Sequence, residues 1–437
     1  MFIFHQHKTN TMKKNLLFLV LAFICVCTFA ADNTAVIVDS VVATPAVAQP
    51  FNIDSATHFY MNMLSPEQKA KSDAYFEGGY WLQIWNLLYG IGVAFIFLGL
   101  GLGKWLKRIA LKAKNENIQN LIYIVLYSLL VWVLSFPFSV YQEYFREHQY
   151  GLSNLSFGGW FVENIKGLAI GLVLGSPMIV ALYAALRKTG KRWWIWGASG
   201  LMVFSAFVAF IAPVFLAPIF NKYEPLPESK LKDEILSMAR ANCIPAENVY
   251  MFDESKQSKR VSANVSGFAS TTRISLNDNL LNRCTPEEVK AVMGHEMGHY
   301  VLNHVYKGLL AFGVLIFIVF ALLNWLLQKL ISRRGAQWGI SSMSDIAGLP
   351  LLSVLLSIVM FFATPITNTI TRTQEMEADQ FGLNAAMEPD AEAHVDIMLS
   401  EYRKLDPGNW EEILFFDHPS GRVRVNTAMR WKAEHLK

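Results

Sequence analysis

The chain of 437 residues is 53% hydrophobic and only 17% charged, too apolar for an average soluble domain, and it reads as a polytopic membrane protein. A net charge of +3, with basic residues gathered in short loops, excludes a nucleic-acid footprint. Four cysteines without a Cys-x-x-Cys pair exclude a disulfide framework and leave any metal to His and carboxylate ligands.

Residues 1–31 carry Met12-Lys13-Lys14 followed by an apolar run from Leu16 to Ala31 with small residues at its end, the pattern of a signal peptide or a retained N-terminal anchor. Residues 32–80, with Pro45, Pro50, Asp39 and Asp54, are expected to form a polar exported segment ending in a helix near Glu67 to Phe76. Runs long enough to cross a bilayer follow at 81–102, 121–140, 167–187 and 194–219, which make a four-span domain over 81–219. Two more, at 308–330 and 349–370, fall inside a second domain over 220–437, so the chain has six crossings, or seven with the anchor retained.

Three loops are basic: Lys104 to Lys114, Arg187 to Arg192, and Lys329 to Arg334. The positive-inside rule puts all three in the cytoplasm and residues 31–80, 141–166, 220–307 and 371–437 on the other side. With an exported N-terminus, this points to a bacterial inner membrane, although the sidedness of residues 220–307 stays open.

Between the spans, Leu231, Ile235, Met238 and Ala239 form a helical stripe, and Val249–Phe252, Val261–Val265 and Arg273–Leu276 read as short strands, the last two joined by a turn at Gly267 and Ser270. Thr285-Pro286-Glu287-Glu288 is a helix start, with Thr285 as N-cap, Pro286 at the first position and Glu288 closing a capping box. Inside that helix lies His295-Glu296-Met297-Gly298-His299. Its two histidines stand one turn apart on one face, where both can bind a single Zn²⁺, and Glu296 is the natural general base. The nearby sheet either takes an extended peptide at its edge or only packs. Helices are expected again near 391–404 and 423–435, with a turn at Asp406-Pro407-Gly408-Asn409.

A catalytic zinc usually has three protein ligands. Leu302 and Val305 break the extended histidine pattern, so His304 is not expected to be the third. Two carboxylate pairs have suitable spacing, Glu375 with Asp379 and Glu392 with Asp396. The first is favoured because it follows directly from the last span, and the second is expected on a solvated helix face. Glu377 lies on the far side of the helix from Glu375.

The chain resembles the CAAX prenyl protease 1 family, also called type I CAAX endoproteases, over most of residues 60–430. The resemblance rests on His295-Glu296-Met297-Gly298-His299, Glu375-Met376-Glu377-Ala378-Asp379, Phe215 through Leu226, Tyr150-Gly151-Leu152-Ser153-Asn154, and His418-Pro419 with Arg424. It implies that His295, His299 and Glu375 bind one zinc ion, with Glu296 as catalytic base. Asp379 would be a proton donor or the hydrogen-bond partner of a zinc histidine, and His418 and Arg424 would stabilise the oxyanion. Asn264 would line the substrate groove. The fold implied is a mainly α, polytopic membrane protein with an intramembrane chamber and a zincin-type α+β catalytic part. The function implied is that of a lipid-embedded metalloendopeptidase cutting small or unfolded polypeptides. The alternatives are a heat-shock-type quality-control protease with fewer N-terminal spans, and a non-enzymatic scaffold with structural zinc.

Overall fold

A computed structural model describes residues 51–267 and 272–436. The leader over 1–31 and the Ser270 part of the expected turn lie outside the described residues. Helix α1 (Ile53–Met61) starts at Asn52, whose side chain accepts from the Ser55 amide. Helix α2 (Pro66–Leu98) starts at Ser65, where Gln68 closes a capping box and Pro66 fills the first position.

This cap moves the expected boundary at residue 81. At 1.5 Å per residue, the 33 residues of α2 span roughly 50 Å, well beyond a hydrocarbon core of about 30 Å. Its first turns therefore stand outside the bilayer. There α1 packs on the C-terminal helices, with Tyr60 Oη donating to Asp390 at 2.8 Å. The described part of the polar segment is thus a component of the catalytic half.

After Gly101 (φ 82°) comes the amphipathic α3 (Leu102–Ala110), followed by α4 (Glu116–Ser139), which continues through a π-helical turn at Val140–Phe145 to Tyr150. Helix α5 (Phe157–Thr189) ends at Gly190 (φ 53°), where the chain folds back so that α6 (Trp193–Ile211) packs against it. Among the described residues, five continuous helical runs are long and apolar enough to cross a membrane: 66–98, 116–150, 157–220, 304–338 and 346–386. The break at Gly190 divides the third run, so the six expected crossings are all accommodated.

The soluble part opens with β1 (Tyr223–Pro225), α7 (Lys230–Ala241), β2 (Val249–Phe252), β3 (Ala263–Ser266) and β4 (Arg273–Asn277). Strand order is β1-β2-β4-β3, with β2 and β4 parallel and the outer pairings antiparallel, which leaves β3 at an edge. Strand β1 was not expected: it has three residues, too few to show a period, and it ends in a proline that an edge position tolerates. Helix α8 (Pro286–Val301) lies against β3, and Met293 and Met297 share a core with Val249, Ile274 and Leu276.

Next come the long helices α9 (His304–Trp338) and α10 (Leu349–Ala386), then α11 (Pro389–Leu399), α12 (Asn409–Phe415) and α13 (Gly421–His435). Helix α10 has 38 residues, roughly 57 Å of helix, so its last turns project beyond the apolar stretch 349–370. A cavity of about 910 Å³ between α2, α4 and α5 is lined by residues including Asn86, Trp132, Glu143, Trp160 and Glu163, and reaches Arg260 just ahead of β3.

Candidate active site

The capping box expected at the start of α8 is present: Thr285 Oγ1 accepts from the Glu288 amide at 3.3 Å, and Glu288 accepts from the Thr285 amide at 2.8 Å. Small residues then bring α8 onto the projecting end of α10. A Cβ at Gly294 would stand 3.0 Å from the Gly382 carbonyl, one at Gly298 would stand 3.1 Å from Ala378 Cα, and one at Gly382 would stand 2.8 Å from the His295 amide. At that backbone separation Glu375 reaches both histidines.

His295 Nε2 and His299 Nε2 lie 3.0 Å apart, and the Glu375 carboxylate oxygens are 3.3 Å and 3.5 Å from them. Tetrahedral ligands about 2.0–2.1 Å from an ion are separated by roughly 3.3 Å, so this donor set fits one small cation. The environment shifts the two histidines in opposite directions. Burial disfavours a charged His295, yet hydrogen bonds to Asp379 and Glu375 outweigh it and hold its pKa well above that of an ordinary imidazole. Burial and the neighbouring His295 push His299 down to about 4, which leaves it neutral and able to bind a metal.

Each ligand is supported from behind. His295 Nδ1 meets Asp379 Oδ1 at 2.8 Å, which fixes the tautomer with Nε2 bare. Arg424 Nε donates to Asp379 Oδ2 at 2.9 Å, and Arg424 Nη1 is 3.0 Å from Asp396. His418 Nε2 stands 3.3 Å from Glu375, and its Nδ1 is 2.8 Å from Asp417. Glu296, next to the triad, is pushed up to about 7, chiefly by burial and further by the Glu375 charge. No hydrogen bond to another described residue holds its carboxyl, so it can accept and release a proton near neutral pH. Asn264 sits in mid-strand on edge strand β3, in register with Ser275, and its Oδ1 accepts from Ser266.

Two expectations change. Glu392 and Asp396 are not on a solvated face: they are 4% and 5% exposed, because α11 packs on α13 and turns both toward Arg424. Burial raises both above ordinary carboxyl values against the pull of that guanidinium. Arg424 itself lies 3.4 Å from the Nδ1 edge of His295, opposite the Nε2 edge that faces the triad, which is the wrong side for an oxyanion donor.

Further groups surround the site. His304 adjoins His299, and Glu377 adjoins His304 in turn. Arg260 joins Glu147 at 2.7 Å and Tyr75 Oη at 2.9 Å, tying β3 to α2 and α4. Only the local sequence Tyr150 to Asn154 hinted at this seam, since Asn154 Nδ2 donates to the Ser255 carbonyl at 2.7 Å.

Fold and site together define a membrane-embedded metallopeptidase. The pattern of peptidase family M48 matches residues 225–432, and that of the CAAX prenyl protease N-terminal region, five membrane helices, matches residues 57–222. A metalloprotease of Bacillus subtilis called YhfN, described as uncharacterized, is 28% identical over 352 residues, covering 78% of this chain and 82% of that protein. CAAX prenyl protease 1 of Saccharomyces cerevisiae is 26% identical over 340 residues, covering 73% and 74%. The crystal structure of S. mikatae Ste24p superposes with a TM-score of 0.72 at 22% identity, covering 86% of this chain and 96% of that one. The chain belongs to the CAAX prenyl protease 1 family of M48 membrane metallopeptidases.

Proposed function

We propose that the protein is a zinc endopeptidase that cuts extended or unfolded polypeptides at a bacterial inner membrane. The observation that carries this is the convergence of His295, His299 and Glu375 on one point beside Glu296, on a helix that packs against β3, an edge strand among the described residues. These three residues would hold the zinc ion, which when bound polarises the scissile carbonyl and acidifies the attacking water. Substrate adds to the free edge of β3. The Asn277 amide donates to the Ser262 carbonyl at 2.9 Å, so by antiparallel alternation Ala263 and Val265 turn their backbone groups outward to meet it. Asn264 contacts the substrate between them.

Glu296 takes a proton from the attacking water and passes it to the leaving nitrogen. His418, braced by Asp417, donates to the developing oxyanion from the Glu375 side. Asp379 orients His295, and Arg424 orients Asp379. The heat-shock-type alternative gains no support, because three long helical runs that make four crossings occupy residues 66–220.

The test is cleavage of an unstructured fluorogenic peptide and a farnesylated one by detergent-solubilised protein, beside Glu296→Gln. The substitution should retain zinc and lower turnover by about two to four orders of magnitude. An unaltered protein that binds zinc in full yet cuts none of these peptides would return the scaffold reading.

A further inference from the structure

Zinc helix α8 and membrane helix α9 are separated by Leu302 and Asn303, and Asn303 adopts left-handed backbone (φ 58°, ψ 39°). Asparagine tolerates that conformation, and the turn folds His304, the first residue of α9, back beneath the end of α8. His304 is only 3% exposed. Its Nδ1 is 2.9 Å from His299 Nδ1, and its Nε2 is 3.1 Å from a Glu377 oxygen on α10. Lys307, one turn along α9, holds the same Glu377 oxygen at 2.7 Å. Neither ring nitrogen of His304 faces the triad, so it is not a fourth ligand.

From this arrangement we infer that His304 is a positioning residue which, through Glu377, fixes the tautomer and ring orientation of His299. A carboxylate only accepts, so His304 carries its proton on Nε2 and donates it to Glu377. Its Nδ1 then offers a lone pair, to which His299 donates its own Nδ1 proton. The Nε2 of His299 is left bare and directed at the metal point. His295 receives equivalent support from Asp379 on the same helix α10. One histidine is thus held directly by a carboxylate and the other through a second imidazole, and the second route ties the ligand to the extramembrane ends of both membrane helices α9 and α10.

The inference rests on the reading of His295, His299 and Glu375 as metal ligands, and its test separates the two. Zinc affinity is measured on the full-length, detergent-solubilised protein by competition with a chelator, together with the absorption spectrum of the Co²⁺-substituted form and separate kcat and KM. His304→Leu should weaken zinc binding by about 10- to 100-fold, alter the cobalt spectrum and lower kcat with little change in KM. His304→Gln, whose carboxamide oxygen can accept from His299, should recover most of the affinity. Glu377→Leu should weaken zinc several-fold, whereas Glu377→Gln, which keeps an acceptor, should not.

The inference is overturned if His304→Leu folds and retains both affinity and spectrum, or if His304→Gln is no better than His304→Leu. Should His304→Leu fail to fold, Glu377→Leu decides, because Glu377 is partly exposed and its loss spares the core. In that case an unchanged affinity overturns the proposal. An unaltered protein that binds no zinc would instead remove the ligand reading itself.

Discussion

Arg424 places one guanidinium against three buried carboxyls, those of Asp379, Asp396 and Glu392. Removing the cation from such a cluster leaves the buried carboxyls without their main countercharge, a loss of about 3–5 kcal/mol. Arg424→Met should therefore lower the thermal unfolding midpoint markedly and loosen zinc through Asp379, while Arg424→Lys should recover only part, since an ammonium lacks the planar fork. A midpoint unchanged in Arg424→Met, read by scanning calorimetry in detergent, would dispose of this role. At this scale the sequence was legible where chemistry is local: His295, His299 and Glu296 share one helical turn. Glu392 and Asp396 were misjudged because their environment is made by helices distant in sequence.

Among the elements, the contact between α8 and the end of α10 decides whether a metal site exists at all. It depends on the absence of side chains at Gly294, Gly298 and Gly382, each within 3.1 Å of opposing backbone were a Cβ present. Gly298→Val or Gly382→Val should push the helices apart and abolish stoichiometric zinc while leaving far-UV helicity nearly intact. Gly200→Ala on α6, where a Cβ meets nothing within 4 Å, is the control and should retain zinc. Full zinc occupancy in both valine variants would show that this close approach is dispensable. The cap of α8 was read from the sequence because a capping box spans four residues, whereas the similar box at Ser65 went unread; the pairing of α8 with α10 was not legible, because it joins positions some eighty residues apart.

For the molecule as a whole, the three basic stretches lie at one end of the helical bundle, with Lys329 to Arg334 inside the last turns of α9 and not in the expected loop. Lys107 pairs with Asp345 at 2.6 Å, Lys104 donates to the Gln337 carbonyl at 2.8 Å, and Arg187 pairs with Glu116 at 3.2 Å. If that end is cytoplasmic, the catalytic part faces the opposite side. Exposed Cys243 should then react with a membrane-impermeant maleimide in intact spheroplasts. Cys243→Ser should abolish the signal, and adding Lys188→Cys should restore it only after lysis. Labelling of Lys188→Cys in intact cells would invert the orientation.

The sequence by itself determined the membrane class, the start of α8 and the placing of His295, Glu296 and His299 on one helical turn, because apolar run length, capping and one-turn spacing act over a few residues. Membership of the family was also legible from motifs scattered along the chain. Tertiary structure decided the rest: that Glu375 comes within 3.5 Å of both histidines, that α2 begins at Pro66 and joins the catalytic half, and that Arg424 faces the rear of His295. These depend on how far α10 projects past its apolar stretch and on how closely glycine lets it approach α8, distances set by packing between segments that local sequence does not relate.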